Sequence, residues 1–372
     1  GWKASILADK NTGKDEFDYT LGVCLGVTKD PQLELPMEWD DTYNNGHQVK
    51  DNLIATEPCH SATACCKLVK LGDIYGPVLD HLEKTRTLHT FAYDWRRCLD
   101  ETAVEFERFI ANVTEESLGT KPQIVAHSMG CLITLSILNR RPDIFHSILF
   151  GVGALSPNAS VLSDLSLRGH KNKLVLNTTM VTPKVNLTNP SAYFMLAYPG
   201  ERELYNKPNR IQFRDEKNDP VELDLHMART WKERKLGVYH PNSGVETVTA
   251  KMEEWLQTVL DKVHEFRKGL LPENSGLKKE DCPPICVLRG DHSDTEFGFV
   301  VRSTATAGNG VVDLKEGITH VRGDGRVALE DAVPPSDIPV LRIVTNDREH
   351  SQVLNDVENV TMLLDLMLSK KM

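Results

Sequence analysis

Gln123-Ile124-Val125-Ala126-His127-Ser128-Met129-Gly130-Cys131-Leu132-Ile133-Thr134-Leu135-Ser136-Ile137-Leu138 is the stretch whose reading decides the fold. Residues 123–126, with Ile124 and Val125 at their centre, have the character of a short buried parallel strand. A tight His127-Ser128-Met129-Gly130 turn follows, and then an apolar segment long enough for a helix. Strand, sharp turn and helix with a serine at the apex form a nucleophile elbow, here written Ala-x-Ser-x-Gly. The spacing has a physical cause. The serine sits on a strained turn with its hydroxyl presented, so Ala126 and Gly130, two residues to either side, must be small enough for strand and helix to pass closely. The turn also aims the Met129 N–H, at the helix N-terminus, towards an oxyanion forming beside Ser128. The bland alternative is an ordinary strand-to-helix turn with Ser128 as helix N-cap. The β-branched run before it and the wholly apolar helix after it favour the nucleophile.

Working outward, 372 residues suffice for one large α/β domain with an insertion, or for two domains. The composition, 40% hydrophobic and 26% charged, is that of a globular protein, and no apolar run approaches the length of a membrane span. A formal net charge of −10 argues against a nucleic-acid partner, which would demand a basic face. The chain opens Gly1-Trp2-Lys3 without a methionine, so it reads as a processed form or a piece of a longer protein. Cysteines stand at 24, 59, 65, 66, 98, 131, 282 and 286. Cys131 belongs to the apolar helix and reads as core. The spacing of Cys59, His60, Cys65 and Cys66 fits no zinc pattern, so no metal is expected. Cys282 and Cys286 are either a pair or two free thiols. Asn-x-Ser/Thr sequons at Asn112, Asn158, Asn177, Asn186 and Asn359 hint at a secretory route and leave the compartment open.

Periodicity extends the α/β pattern on both sides of the elbow. Residues 1–70 show little of it, and 26–46 read as a long surface excursion. Residues 72–84 read as an amphipathic helix, 87–93 as a strand and 101–118 as a second helix with Phe106, Phe109, Ile110 and Val113 on one face. A strand at 148–150 follows the elbow. Alternation of this kind is the signature of a parallel sheet covered on both faces. Between 154 and 244 it stops, and turn residues surround an aromatic cluster of Tyr193, Phe194 and Tyr198. We read this segment as a cap lying over the carboxyl ends of the strands; its aromatics serve either substrate or the cap's own core. The pattern resumes with a helix at 245–270, strands at 284–288, 297–301 and 338–344, and a closing amphipathic helix at 352–368. The expected organisation is a core in two parts, 1–153 and 245–372, with the cap inserted at 154–244.

A serine needs a histidine to take its proton, and that histidine needs an acid to fix its tautomer. In α/β-hydrolases these follow in the order Ser, Asp or Glu, His. Of the 13 histidines, only His350 lies between the last strand and the last helix. Two acids compete: Asp291, close behind the strand ending at 288, and Asp324, in the glycine-flanked turn Arg322-Gly323-Asp324-Gly325-Arg326-Val327. Spacing alone does not separate them. His127, beside the nucleophile, needs no catalytic role.

Four local patterns resemble the lecithin:cholesterol acyltransferase family, which includes lysosomal phospholipase A2 and phospholipid:diacylglycerol acyltransferases. Tyr93-Asp94-Trp95-Arg96 resembles that family's YDWR strand end, and Ala126-His127-Ser128-Met129-Gly130-Cys131-Leu132 is similar to its GHSLGCL elbow. Pro190-Ser191-Ala192-Tyr193 resembles a Pro-Ser-x-Tyr cap segment, and Gly323-Asp324-Gly325-x-Val327 its GDGTV acid motif. The resemblance implies Asp324 as the acid in place of Asp291. It also implies that Gly1-Trp2-Lys3-Ala4-Ser5 is what remains of an oxyanion turn, with the Trp2 N–H as a second donor beside that of Met129. Three departures stand out. Ala126 replaces a glycine, Arg326 replaces a threonine, and the strand expected before Gly1 is absent, so the first core strand is expected to be truncated.

The fold expected is therefore an α/β-hydrolase: a mostly parallel central sheet flanked by helices, with an inserted cap. The function expected is acyl transfer from a glycerolipid ester at a membrane or lipid-particle surface, through an acyl-enzyme on Ser128 with His350 as base and Asp324 as acid. Trp2 and Met129 would supply the oxyanion donors. No cofactor is needed. The rivals are a carboxylesterase acting on soluble esters, told apart by its preference for them over aggregated lipid, and an inactive lipid-binding relative.

Overall fold

Four strands run parallel side by side in the order Arg342–Asn346, Ile285–Gly290, Ser147–Gly151, Gln123–His127. The computed structural model that carries them describes residues 5–13, 15–17, 33–40, 47–64, 69–156, 158–167, 183–196, 212–304 and 307–370. Side chains alternate across the sheet as the strand period of two requires. Ile124, Ala126, Ile148, Phe150, Ile285 and Val287 enter one apolar cluster, with the helices Met129–Leu138 and Leu99–Glu116. Leu149, Cys286 and Leu288 enter a second, with the helices Gly76–Thr85 and Val357–Leu368. Burial on both faces explains the near-continuous apolar runs of the two inner strands, Ser147–Gly151 and Ile285–Gly290. The elbow helix is apolar all round because it is buried all round: eight of its ten residues are buried.

Most expected elements are present with shifted ends. The helix expected at 245–270 runs Ala250–Gly269, because the Thr249 side chain accepts the Met252 N–H and caps it there. The closing helix splits into a 3-10 segment, His350–Asn355, and an α-helix, Val357–Leu368, where Asp356 caps the N–H of Asn359. The strand expected at 87–93 is a correction. That segment joins no ladder among the described residues; its end is instead tied by the Tyr93 N–H to Ser5 Oγ at 3.3 Å and by Trp95 Nε1 to the Ser5 carbonyl at 3.2 Å. Extended sequence becomes a strand only where a neighbour supplies the ladder.

Residues read as featureless contain several small sheets. Ser5–Asp9 pairs antiparallel with Asp15–Phe17 and with Leu53–Pro58. A larger excursion was legible only as a strand at 297–301. Ser293–Thr304 is a long strand that pairs with Ala307–Asp313 and with Thr319–Gly323, and Gln212–Asp215 adds to it in parallel. This second sheet draws strands from both sides of residue 244. Tyr193 and Phe194 are fully buried, Tyr193 against Trp231 and Trp255 and Phe194 against Phe266; Tyr198 lies outside the described residues. Among the described residues no helix is long and apolar enough to cross a membrane. Cys282 and Cys286 are both free. The sequon side chains of Asn158 and Asn186 are buried, their amides donating to the carbonyls of Arg326 and Asp164, while Asn177 lies outside the described residues.

Candidate active site

Ser128 follows the carboxyl end of the strand Gln123–His127 and has φ 54° and ψ −122°, a conformation that side chains other than glycine rarely adopt. Three backbone bonds hold it there: its N–H donates to the Gly151 carbonyl at 3.0 Å, and its own carbonyl accepts from Cys131 at 3.0 Å and from Ala154 at 3.3 Å. Met129 is the first residue of the helix, so no carbonyl lies a turn behind it to accept its N–H. Cys131, close by, is no rival nucleophile: burial pushes its thiol up to about 12.

His350 Nε2 lies 2.9 Å from Ser128 Oγ, and His350 Nδ1 lies 2.7 Å from Asp324 Oδ2. The carboxylate at Nδ1 assigns the ring proton there, leaving the Nε2 lone pair to accept from the serine hydroxyl. The Asp324 side chain is 1% exposed. Its other oxygen accepts the N–H groups of Arg326 at 2.8 Å and Val327 at 2.7 Å, which fixes the direction in which Oδ2 points. The tight turn needs its glycines. A Cβ on Gly323 would collide with Thr295 Oγ1 and the Val327 carbonyl, and Gly325 has φ +87°.

The two acid candidates compete because the chain leaves the sheet and comes back. After the strand ending at Gly290 it departs through Ser293–Thr304 and returns through Thr319–Gly323, pairing Ser293 with Gly323, and the His292 N–H donates to the Gly323 carbonyl at 2.7 Å. Asp324 is thus delivered to the strand end that Asp291 occupies in sequence; a Cβ on Gly290 would stand 2.9 Å from that of Asp324. Asp291 turns away and pairs with Arg322. The structure therefore brings Ser128, His350 and Asp324 together and leaves Asp291 aside; Trp2 lies outside the described residues.

Arg326 stands where the resembling motif has threonine, and the turn tolerates it because the bond to Asp324 comes from its backbone. Its guanidinium pairs instead with Asp164, on the helix Ser160–Ser166. The remaining motifs meet as well. Ser191 Oγ donates to the Trp95 carbonyl at 2.5 Å, and fully buried Arg96 pairs with Asp94 at 2.8 Å and with Asp51 at 2.7 Å. Sequence reasoning gave His127 no part, yet its ring lies 5.0 Å from that of His350. The only signal was adjacency to the serine.

The parallel sheet, the elbow and the loops at its carboxyl end define the class: this is an α/β-hydrolase fold. A chain of the Tle4–Tli4 complex has a similar structure, with a TM-score of 0.60 and 11% identity, covering 99% of this chain and 96% of that one. At that identity the likeness concerns the fold alone. E-2-(acetamidomethylene)succinate hydrolase aligns over 79% of this chain and 85% of its own, at 12% identity and a TM-score of 0.31, too low to carry an argument. The finer likeness is to a family: residues 70–146 match the family model for lecithin:cholesterol acyltransferase. That segment holds Tyr93-Asp94-Trp95-Arg96 and the whole elbow, and ends before Asp324 and His350. No curated protein sequence matches the chain.

Proposed function

We propose that the chain is a serine-dependent acyl-ester hydrolase or O-acyltransferase acting on glycerolipids. The observation that carries this reading is the hydrogen-bonded series from the Ser128 hydroxyl through His350 to the buried Asp324, at the apex of a strained elbow. The family likeness over residues 70–146 supports a lipid ester as the substrate.

In this reading Ser128 Oγ attacks the ester carbonyl while His350 Nε2 takes the hydroxyl proton, and Asp324 stabilises the imidazolium that forms. The negative charge moves to the carbonyl oxygen, opposite the Met129 N–H, with the Trp2 N–H as second donor. Collapse breaks the ester bond, His350 returns its proton to the leaving alcohol, and the acyl group stays on Ser128. Water or a second alcohol then gives its proton to His350 and removes the acyl group by the same steps. The proposed cap, 154–244 between core parts 1–153 and 245–372, extends through the pairing of Gln212–Asp215 with Ser293–Thr304.

The test is labelling with a fluorophosphonate probe, followed by turnover of dispersed phospholipid and of a short soluble ester. Labelling of the native chain that disappears in Ser128→Ala, with turnover favouring dispersed lipid, is expected. Equal labelling of both proteins would overturn the assignment of the nucleophile. A preference for the soluble ester would favour a general carboxylesterase.

A further inference from the structure

His127 is half-buried beside the nucleophile and against the loop that carries the base, and no step above uses it. Its Nε2 lies 2.9 Å from the backbone carbonyl of His350. A carbonyl only accepts, so Nε2 carries the proton and donates. Nδ1 then holds a lone pair, and the Tyr75 hydroxyl, 2.8 Å away, donates to it. Burial, followed by the nearby ring of His350, holds the His127 imidazole well below its ordinary pKa, so it stays neutral. Among the described residues, the titratable groups bonded to it or in ring contact with it are Tyr75 and His350, and those facing His350 are His127, Asp324 and the Ser128 hydroxyl.

Tyr75 is itself fixed. The ring is 8% exposed and packs edge-on against His127 at 5.4 Å, and the N–H groups of Ile74, Tyr75 and Gly76 all donate to the His60 carbonyl, at 2.9, 3.1 and 2.9 Å. The same short segment receives the rest of the base-bearing loop. Gln352 Nε2 donates to the Asp73 carbonyl, and Asn355 Nδ2 donates to that of Ile74 at 3.0 Å. Residues 73–75 therefore clasp the loop 350–355 at three successive points, the one nearest Ser128 passing through His127. On its other side the His350 N–H donates to the Asp324 carbonyl at 3.1 Å. Both backbone polar groups of the base are thus held, one by the acid's residue and one by the residue before the nucleophile.

We propose that His127 is a positioning residue: its Nε2–H ties the main chain of His350 to the strand that carries Ser128, and the Tyr75 hydroxyl fixes the tautomer that makes this bond. The inference rests on the catalytic reading of Ser128, His350 and Asp324. His350 and Ser128 are 222 residues apart in sequence, on separate loops, so the distance between base and nucleophile depends on what joins those loops. A displacement of about 1 Å at such a contact is enough to cost catalysis heavily. With the Tyr75 hydroxyl removed, His127 is free to take the other tautomer, which sets a lone pair against the His350 carbonyl and pushes the loop away.

The test uses the full chain and the same fluorophosphonate probe, with labelling rates measured and with kcat and KM measured on a soluble ester. His127→Phe removes the donor, Tyr75→Phe removes the tautomer lock, and His127→Gln keeps an N–H within reach of the carbonyl. Labelling slowed at least about tenfold is expected in His127→Phe and severalfold in Tyr75→Phe, with most of the rate restored in His127→Gln. The loss should fall on kcat with KM little changed. Thermal melting separates folding from positioning, and Tyr75→Phe, which deletes one oxygen, keeps the test alive if His127→Phe does not fold. Folded variants that label at the native rate with an unchanged kcat overturn the positioning role and leave the catalytic reading intact. A native chain whose Ser128 does not label overturns both.

Discussion

At the scale of single residues, the sharpest claim concerns which carboxylate serves His350. Asp324 reaches Nδ1 at 2.7 Å with its second oxygen already held by two backbone N–H groups, whereas Asp291 is paired with Arg322. Asp324→Asn keeps the shape but puts an amide where the imidazole needs a carboxylate, so the proton is drawn to the wrong nitrogen. The expected loss in kcat is on the order of 10^3 to 10^4, read from initial rates on a soluble ester. Asp291→Asn removes only an exposed ion pair and should leave kcat within a few-fold of the native value. Comparable losses in the two variants would remove the assignment. Ser128 and His350 were legible in the sequence, the first from its elbow and the second from its position between the last strand and last helix. The choice of acid was not legible from spacing, which places Asp291 at the strand end; only the resemblance of Gly323-Asp324-Gly325-x-Val327 pointed to Asp324, and it is the antiparallel return through Thr319–Gly323 that brings Asp324 to the same point.

At the scale of elements, what the sequence disclosed divides along a physical line. Elements that bury a whole face carry a periodic or continuous apolar pattern, and the elbow strand, its helix and the helix Ala250–Gly269 were all readable from it. Of the sheet built on Ser293–Thr304 only 297–301 was readable, because the stability of its strands comes from ladder bonds to segments far along the chain. The segment 87–93 fails the other way: it has strand composition but joins no ladder among the described residues. The returning hairpin supports a prediction at this scale. Gly323 lies where the hairpin closes, and a methyl group there meets the Val327 carbonyl, a backbone atom that cannot swing aside. Gly323→Ala should therefore destabilise the fold by about 1–3 kcal/mol, as overpacking at a tight contact does. It should also lower kcat, because Val327 donates to the Asp324 carboxylate. Urea unfolding together with ester turnover checks both. A variant with native stability and native turnover would mean that the acid turn is looser than its contacts indicate.

At the scale of the whole molecule, the carboxyl end of the sheet gathers loops from residues 128, 324 and 350, and this gathering leaves a pH signature. His127 is half-buried at their junction and resists protonation, by desolvation first and the neighbouring His350 second. His240 resists it too, by burial and then by the charge of Lys315. In the unfolded chain both take a proton as pH falls through about 6.5. Below that pH the unfolded state binds more protons than the folded one, so acid favours unfolding, and the loss continues down to the folded-state pKa of each group. For His127 the limiting slope, one proton's difference between the two states, is about 1.4 kcal/mol per pH unit. Paired carboxylates act elsewhere: Asp143, held low by its hydrogen bond from Arg141, loses its share only below about pH 4. The window from pH 6.5 to 5 therefore belongs mainly to the histidines. Urea midpoints measured across it should fall steadily in the native chain and less steeply in His127→Gln, whatever the absolute stability of that variant. Equal slopes in the two proteins would mean that His127 takes up its proton as readily folded as unfolded, and neither desolvation nor the neighbouring His350 would then be holding it neutral.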